Sequence, residues 1–98
     1  MKITRNKDGT DLTIALEGRL DTTTAPELEK ELQASLDGAT ELTLDFSALE
    51  YISSAGLRVL LYAQKAMSRK DGMKVTHVNE IVSEVFDVTG FSDILTIE

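Results

Sequence analysis

Two adjacent hydroxyl residues, Ser53 and Ser54, stand between an apolar-alternating run and a leucine-rich one. The segment Asp45-Phe46-Ser47-Ala48-Leu49-Glu50-Tyr51-Ile52-Ser53-Ser54-Ala55-Gly56-Leu57-Arg58 predicts a strand that ends before the serines and a helix that starts near Ser54. A hydroxyl at such a junction faces solvent beside unpaired backbone N–H groups, a setting that favours negative charge. It has two chemical uses. It caps the helix by accepting from a backbone N–H, or it receives a phosphoryl group.

Asp21 and Asp45 extend this constellation, since each falls at or just after the carboxyl end of a predicted strand, where the loops of an α/β sheet converge. The plainer reading of Asp21 is a turn carboxylate that satisfies the N–H groups of Thr22-Thr23-Thr24. The plainer reading of the serines is that one caps the helix and the other is solvated. Arg58 stands one turn into the helix, placed to meet a phosphate, an acidic group of a partner, or only water.

Catalysis finds little support. The single histidine, His77, lies in a predicted strand. A Ser54–His77–Asp triad is compatible with the spacing, because triads are defined by geometry and not by order. Yet no nucleophile elbow surrounds Ser54, and no glycine-rich phosphate loop occurs. One histidine among scattered carboxylates has no ligand spacing for a metal, so His77 reads as a strand-end residue with an ordinary hydrogen-bond partner. The absence of cysteine excludes disulfides, thiolate metal sites and thiol nucleophiles. No cofactor is called for, and the reading is of a protein that is not an enzyme.

The elements that must position these residues follow from periodicity and punctuation. Asn6-Lys7-Asp8-Gly9-Thr10-Asp11 predicts a turn with Asp8-Gly9 as its tight pair, joining a short strand around Ile3 to one at residues 12–16. Thr24-Ala25-Pro26-Glu27 predicts a capping box, with Thr24 as N-cap and Glu27 reaching back. Leu28, Leu32 and Leu36 then recur every four residues, and Gly38 stops the helix. A strand is predicted over 42–46, and a second helix from near Ser54 carries Leu57, Leu60, Leu61, Gln64 and Met67 on one stripe. Residues 73–78 predict a further strand. Asn79 caps a third helix bearing Val82, Val85, Phe86 and Thr89; Gly90 closes it before a last strand at 95–97.

Strand alternation carries a topological expectation. Leu12, Ile14 and Leu16 oppose Thr13 and Ala15; Leu42, Leu44 and Phe46 oppose Thr43 and Asp45; Met73 and Val75 oppose Lys74 and Thr76. Parallel strands buried between two helix layers are apolar on both faces. These strands are not, so the helices are expected on one face, with Thr13, Thr43 and Lys74 on the other. Right-handed crossovers give that result when strands are added steadily in one direction.

A chain of 98 residues is one domain, long enough to bury about two-thirds of its unfolded surface. Its apolar and charged fractions, 42% and 28%, are those of an ordinary globular protein. A net charge of −7 argues against nucleic-acid backbones and anionic membranes as partners. No apolar run resembles a signal peptide or reaches the ~18 residues of a membrane span, which predicts a cytoplasmic domain.

At this point the residues become recognisable. Gly18-Arg19-Leu20-Asp21, Asp45-Phe46-Ser47, Ile52-Ser53-Ser54-Ala55-Gly56-Leu57 and Val85-Phe86-Asp87-Val88-Thr89-Gly90-Phe91 resemble, in this order, the STAS domain and more narrowly the bacterial anti-sigma factor antagonists. The resemblance covers nearly the whole chain, and its serine segment is the specific part. It implies an α/β fold over residues 1–98: a mixed, mainly parallel sheet with an N-terminal hairpin and helices mostly on one face. It further implies that a serine-kinase anti-sigma factor binds the unmodified protein and frees a sigma factor. Phosphorylation of Ser54 then switches binding off, and a PP2C-type phosphatase restores it. Asp21, Thr22, Ser53, Ser54, Ala55, Gly56 and Arg58 are the implied partner-binding residues. Two departures stand out. Ser53 occupies the place of an acidic residue, and Ala55 the place of a second hydroxyl. The chain ends soon after its last strand, so the final helix usual in the family is expected to be short or absent. The alternative is a STAS subunit that is never phosphorylated and serves as a scaffold in a transport or sensory complex.

Overall fold

The computed structural model describes residues 1–98. Strands β1 (Lys2–Asp8) and β2 (Asp11–Leu20) form an antiparallel hairpin; helix α1 (Ala25–Ser35), β3 (Glu41–Ile52), helix α2 (Ser54–Met67), β4 (Gly72–Thr76), helix α3 (Glu80–Thr89), a single 3₁₀ turn at Phe91–Asp93 and β5 (Thr96–Ile97) follow. The sheet order is β1-β2-β3-β4-β5, with every pair after the hairpin parallel.

Each parallel connection steps the same way across the sheet, so right-handed crossovers bring α1, α2 and α3 to one face. Leu12, Ile14 and Leu16 of β2, Leu42, Leu44 and Phe46 of β3 and Met73 and Val75 of β4 all join a single core beneath them. The opposite face is polar and uncovered. Across it run Asn6, Thr13, Thr43, Lys74 and Thr96 in lateral register, one residue from each strand. The alternation read from the sequence thus gives the observed layering.

Strand lengths differ from expectation. The strand expected at 12–16 runs to Leu20, and the one expected at 42–46 runs to Ile52. Two register shifts explain why the pattern concealed this. Ala15 faces Asp45 but Glu17 faces Ala48, and Gly18 faces Leu49 but Arg19 faces Tyr51. Each shift inserts an extra residue into β3, as a β-bulge does. The buried positions of β3 accordingly fall at Leu42, Leu44, Phe46, Leu49 and Ile52, a spacing that switches from two to three. Asp45 is therefore not at a strand end. It sits in mid-strand on the polar face, paired with Ala15 and Thr76.

The stripe expected on α2 is rotated by one position. Gly56, Leu57, Val59, Leu60, Ala63 and Met67 are buried, whereas Leu61 and Gln64 are only half-buried. The line through Gly56, Leu60, Ala63 and Met67 faces the sheet, and its small residues admit the helix closely. The sequence reading followed the large side chains and missed Ala63. In α3, Val82 and Phe86 are buried, with the Phe86 ring 6.5 Å from that of Phe46. Thr89 is exposed, its hydroxyl donating to the Val85 carbonyl at 2.6 Å. The strand expected over 73–78 stops at Thr76, because His77 turns the chain at φ +59°. The last strand is shorter by one residue, Leu95 being buried just before it. No helix is long and apolar enough to cross a membrane.

Candidate functional site

Strands β2 and β3 end side by side. Leu20 pairs with Ile52, and the Ser53 N–H donates to the Leu20 carbonyl at 2.9 Å. Asp21 and Ser53 therefore leave the sheet as neighbours, one leading to α1 and the other to α2.

On the Asp21 side the chain folds into a tight turn. The Asp21 carboxylate accepts from the Thr23 hydroxyl at 2.8 Å, from the Thr23 N–H at 3.0 Å and from the Thr24 N–H at 3.2 Å. Thr24 holds the N-cap position of α1 but makes no side-chain cap bond. Its hydroxyl turns back to donate to the Arg19 carbonyl at 2.8 Å and accepts from the Asp21 N–H at 2.8 Å. The expected Thr24–Glu27 capping box is absent: the Asp21 turn takes the Thr24 N–H from the preceding side, and the Glu27 N–H donates to the Thr24 carbonyl at 3.0 Å. The Thr23 hydroxyl, aided by the two N–H groups and opposed by desolvation, holds the Asp21 carboxyl below the usual carboxylate range.

On the other side Ser53 is extended at φ −105°, ψ 178°, and its carbonyl accepts the first bond of α2 from the Leu57 N–H at 3.0 Å. Position makes it the N-cap, but its hydroxyl caps nothing: Ser53 Oγ is buried without a hydrogen-bond partner. Ser54, the first residue of the helix, is exposed. Of the two adjacent hydroxyls, only that of Ser54 is presented to solvent.

Beneath the serines Gly56 is buried against the strand ends. A Cβ there would lie 2.7 Å from Leu20 Cγ and 2.8 Å from Ile52 Cγ1. Gly56 sets how closely the first turn of α2 approaches β2 and β3, and so fixes the height at which Ser54 stands above the sheet. An open groove separates the first turns of α1 and α2, with Thr22, Ala25, Pro26 and Glu29 on one wall and Ala55, Arg58 and Val59 on the other.

The structure therefore gathers Asp21, Thr22, Ser53, Ser54, Ala55, Gly56 and Arg58 at one end of the sheet, with Gly56 below the surface and Ser54 and Arg58 on it. Asp45 does not join them. Its carboxylate accepts from the Ser47 N–H at the first bulge, 3.0 Å away, and meets His77 Nδ1 at 3.1 Å. The Ser47 N–H foremost, and His77 more weakly, lower its pKa against desolvation. With His77 committed to Asp45 and Thr76 on the polar face, the expected ordinary partners are found.

One neighbour escaped the sequence reading. Arg19 stacks over the Tyr51 ring at 4.6 Å to the centroid and lies 3.9 Å from the Asp21 carboxylate. Its pairing with Tyr51 depends on the second bulge, which no alternation pattern announces.

These features define a mixed five-stranded sheet with one helix-covered face and a serine displayed at the start of α2. A family model described as Mlab, STAS domain matches residues 3–96, and the chain belongs to the STAS domain family. Among curated relatives it is 37% identical over 99 residues to BtrV of Bordetella bronchiseptica, named as a candidate anti-sigma factor antagonist, covering 99% of this chain and 85% of that protein. Among solved structures it superimposes on an anti-sigma factor antagonist from Mycobacterium paratuberculosis with a TM-score of 0.89 at 23% identity, covering 98% and 83% of the two chains. It also superimposes on unphosphorylated Bacillus SpoIIAA, an anti-sigma factor antagonist, with a TM-score of 0.84 at 16% identity, covering 99% and 88%.

Proposed function

We propose that this protein is an anti-sigma factor antagonist in which residues 1–98 act as one STAS domain switched by phosphorylation of Ser54. The observation that carries this reading is the placement of Ser54: exposed, first in α2, and held at fixed height by the Gly56 contact. The relatives named as antagonists support it, as does the existence of SpoIIAA in a phosphorylated form.

In the unmodified state the surface formed by Asp21, Thr22, Ser53, Ser54, Ala55 and Arg58 binds a serine-kinase anti-sigma factor, which releases its sigma factor. The same kinase modifies Ser54, and a PP2C-type phosphatase reverses the step. A phosphoryl group adds roughly −1.5 to −2 charges at neutral pH. The start of a helix tolerates that charge, so the domain keeps its fold. The packed interface does not tolerate it, because a dianion there is both bulky and costly to desolvate. A thousandfold loss of affinity corresponds to about 4 kcal/mol, which one unaccommodated phosphate supplies.

The presence of Ser53 where the family carries an acidic residue favours a second reading, a STAS scaffold that is never phosphorylated. The two are separated by affinity capture with wild-type protein and Ser54→Asp, read by mass spectrometry. Capture of a serine-kinase anti-sigma factor by wild type and its loss with Ser54→Asp supports the switch. Equal capture of the same partners by both proteins supports the scaffold.

A further inference from the structure

We propose that Arg58 is the internal counter-ion of a phosphoryl group on Ser54. The proposal rests on Ser54 being the acceptor, and concerns what the modified protein does with the new charge. Ser54 and Arg58 are four residues apart on α2, and both are exposed. Side chains so spaced share a helix face, with Cβ atoms about 5–6 Å apart, and an anion preceding a cation is the favoured order. A guanidinium reaches a phosphoryl group across that distance and offers it a two-pronged, charge-assisted hydrogen bond.

Arg58 is free to do so. The ion pairs of the chain use Arg5, Arg19, Lys74 and His77, and Arg58 enters none of them although the protein carries a net charge of −7. Glu29 lines the opposite wall of the same groove without coming within ion-pair distance. The first turn of α2 contains no acidic residue, so no carboxylate of that turn competes for the guanidinium. Asp21, at the neighbouring strand end, is engaged by Thr23 and Thr24. The one strong anion that this guanidinium is placed to meet is the one added at Ser54.

Phosphorylation then alters the partner surface twice. It adds a dianion at Ser54, and it withdraws the positive charge that Arg58 otherwise presents beside it. The affinity lost on modification contains both parts, and a carboxylate at position 54, with its smaller charge, reproduces them incompletely.

The test uses full-length protein with phosphoserine installed at position 54 during synthesis, so its outcome does not depend on finding a kinase. The second ionisation of the phosphate is followed by ³¹P NMR titration in wild type, Arg58→Gln, Arg58→Lys and a charge-matched control, Arg69→Gln. An unpaired phosphoserine ionises near ~6. The pair predicts a lower value in wild type, a rise of about 0.15–0.4 unit in Arg58→Gln, as suits an exposed helical ion pair, partial retention in Arg58→Lys, and no change in Arg69→Gln. Superimposable titrations of wild type and Arg58→Gln, or an equal rise in Arg69→Gln, overturn the proposal. Failure of any kinase to modify Ser54 would instead strike the reading of Ser54 as acceptor.

Discussion

Gly56 and Leu20 meet with no room for a methyl group between them: a Cβ on Gly56 would fall 2.7 Å from Leu20 Cγ. Leu20 and its strand partner Ile52 are fully buried, so neither side chain has space into which to retreat. The glycine is required here by close approach of a helix to two strand ends, not by backbone conformation.

Gly56→Ala is therefore expected to destabilise the fold although alanine is the better helix former. Overpacking costs about 1–3 kcal/mol, against which the gain in helix propensity offsets about 1 kcal/mol. Urea unfolding should show a lowered midpoint with an unchanged slope. A midpoint at or above that of wild type would show that Leu20 and Ile52 yield.

Asn79 ties α3 to β3 from both ends of its amide. It accepts from the Val82 N–H at 2.8 Å and donates to the Leu49 carbonyl at 2.9 Å. Asn79→Ala removes the cap and should cost about 1–2 kcal/mol. Asn79→Asp keeps the acceptor and loses the donor, so it should lie between. Thermal unfolding of the three proteins gives the order directly.

Asp21 introduces a pH dependence of known sign. Its carboxyl is held below the usual range in the folded protein, so the stability it contributes is complete above that range and is lost as pH falls through the lowered value. The stability difference between wild type and Asp21→Asn should be constant near neutrality and shrink in acid. A difference that persists unchanged to the lowest pH at which both fold would contradict the role of the charge.

Ser54→Asp should leave stability within about 0.3–1 kcal/mol of wild type, on the stabilising side, because a carboxylate suits a helix start. The same substitution should weaken binding to the kinase partner, only in part. Ser54→Ala should abolish phosphate incorporation, with Ser53→Ala as the control that retains it. Calorimetric melting, isothermal titration and intact-mass measurement after incubation with kinase and ATP read these effects in turn. Phosphate mapped to Ser53 would show that Ser54 is not the acceptor.

Much of this was legible in the sequence, for reasons that individual residues make plain. The period-two patterns of Leu12–Leu16 and Leu42–Phe46 place the helices on one face because a sheet face without cover must be polar. Ser53-Ser54 before a leucine stripe marks the junction of β3 and α2 because the period changes there. What escaped had no local signature. The continuation of β3 past Phe46 was hidden by bulges, whose cause lies in pairing with β2. The Asp21 turn was legible, but the missing cap bond of Thr24 was not, because composition cannot show which way a hydroxyl turns. The burial of Ala63 in place of Leu61 depends on how near α2 sits to the sheet, which Gly56 decides.

The two bulges have a consequence for how the length of this chain can change. A bulge sets two residues of β3 against one of β2, and the facing beyond it follows the partner strand. Leu49 beyond the first bulge and Ile52 beyond the second are therefore both buried, opposite Gly18 and Leu20. Deleting the extra residue at either bulge would restore plain pairing there and keep Ile52 opposite Leu20, so that Ser54 stays displayed. A deletion within Leu42–Asp45, where pairing is one to one, would instead turn the neighbouring side chains over. Changes in the length of β3 are thus absorbed at the bulges, between the regular core of the strand and the serine it presents.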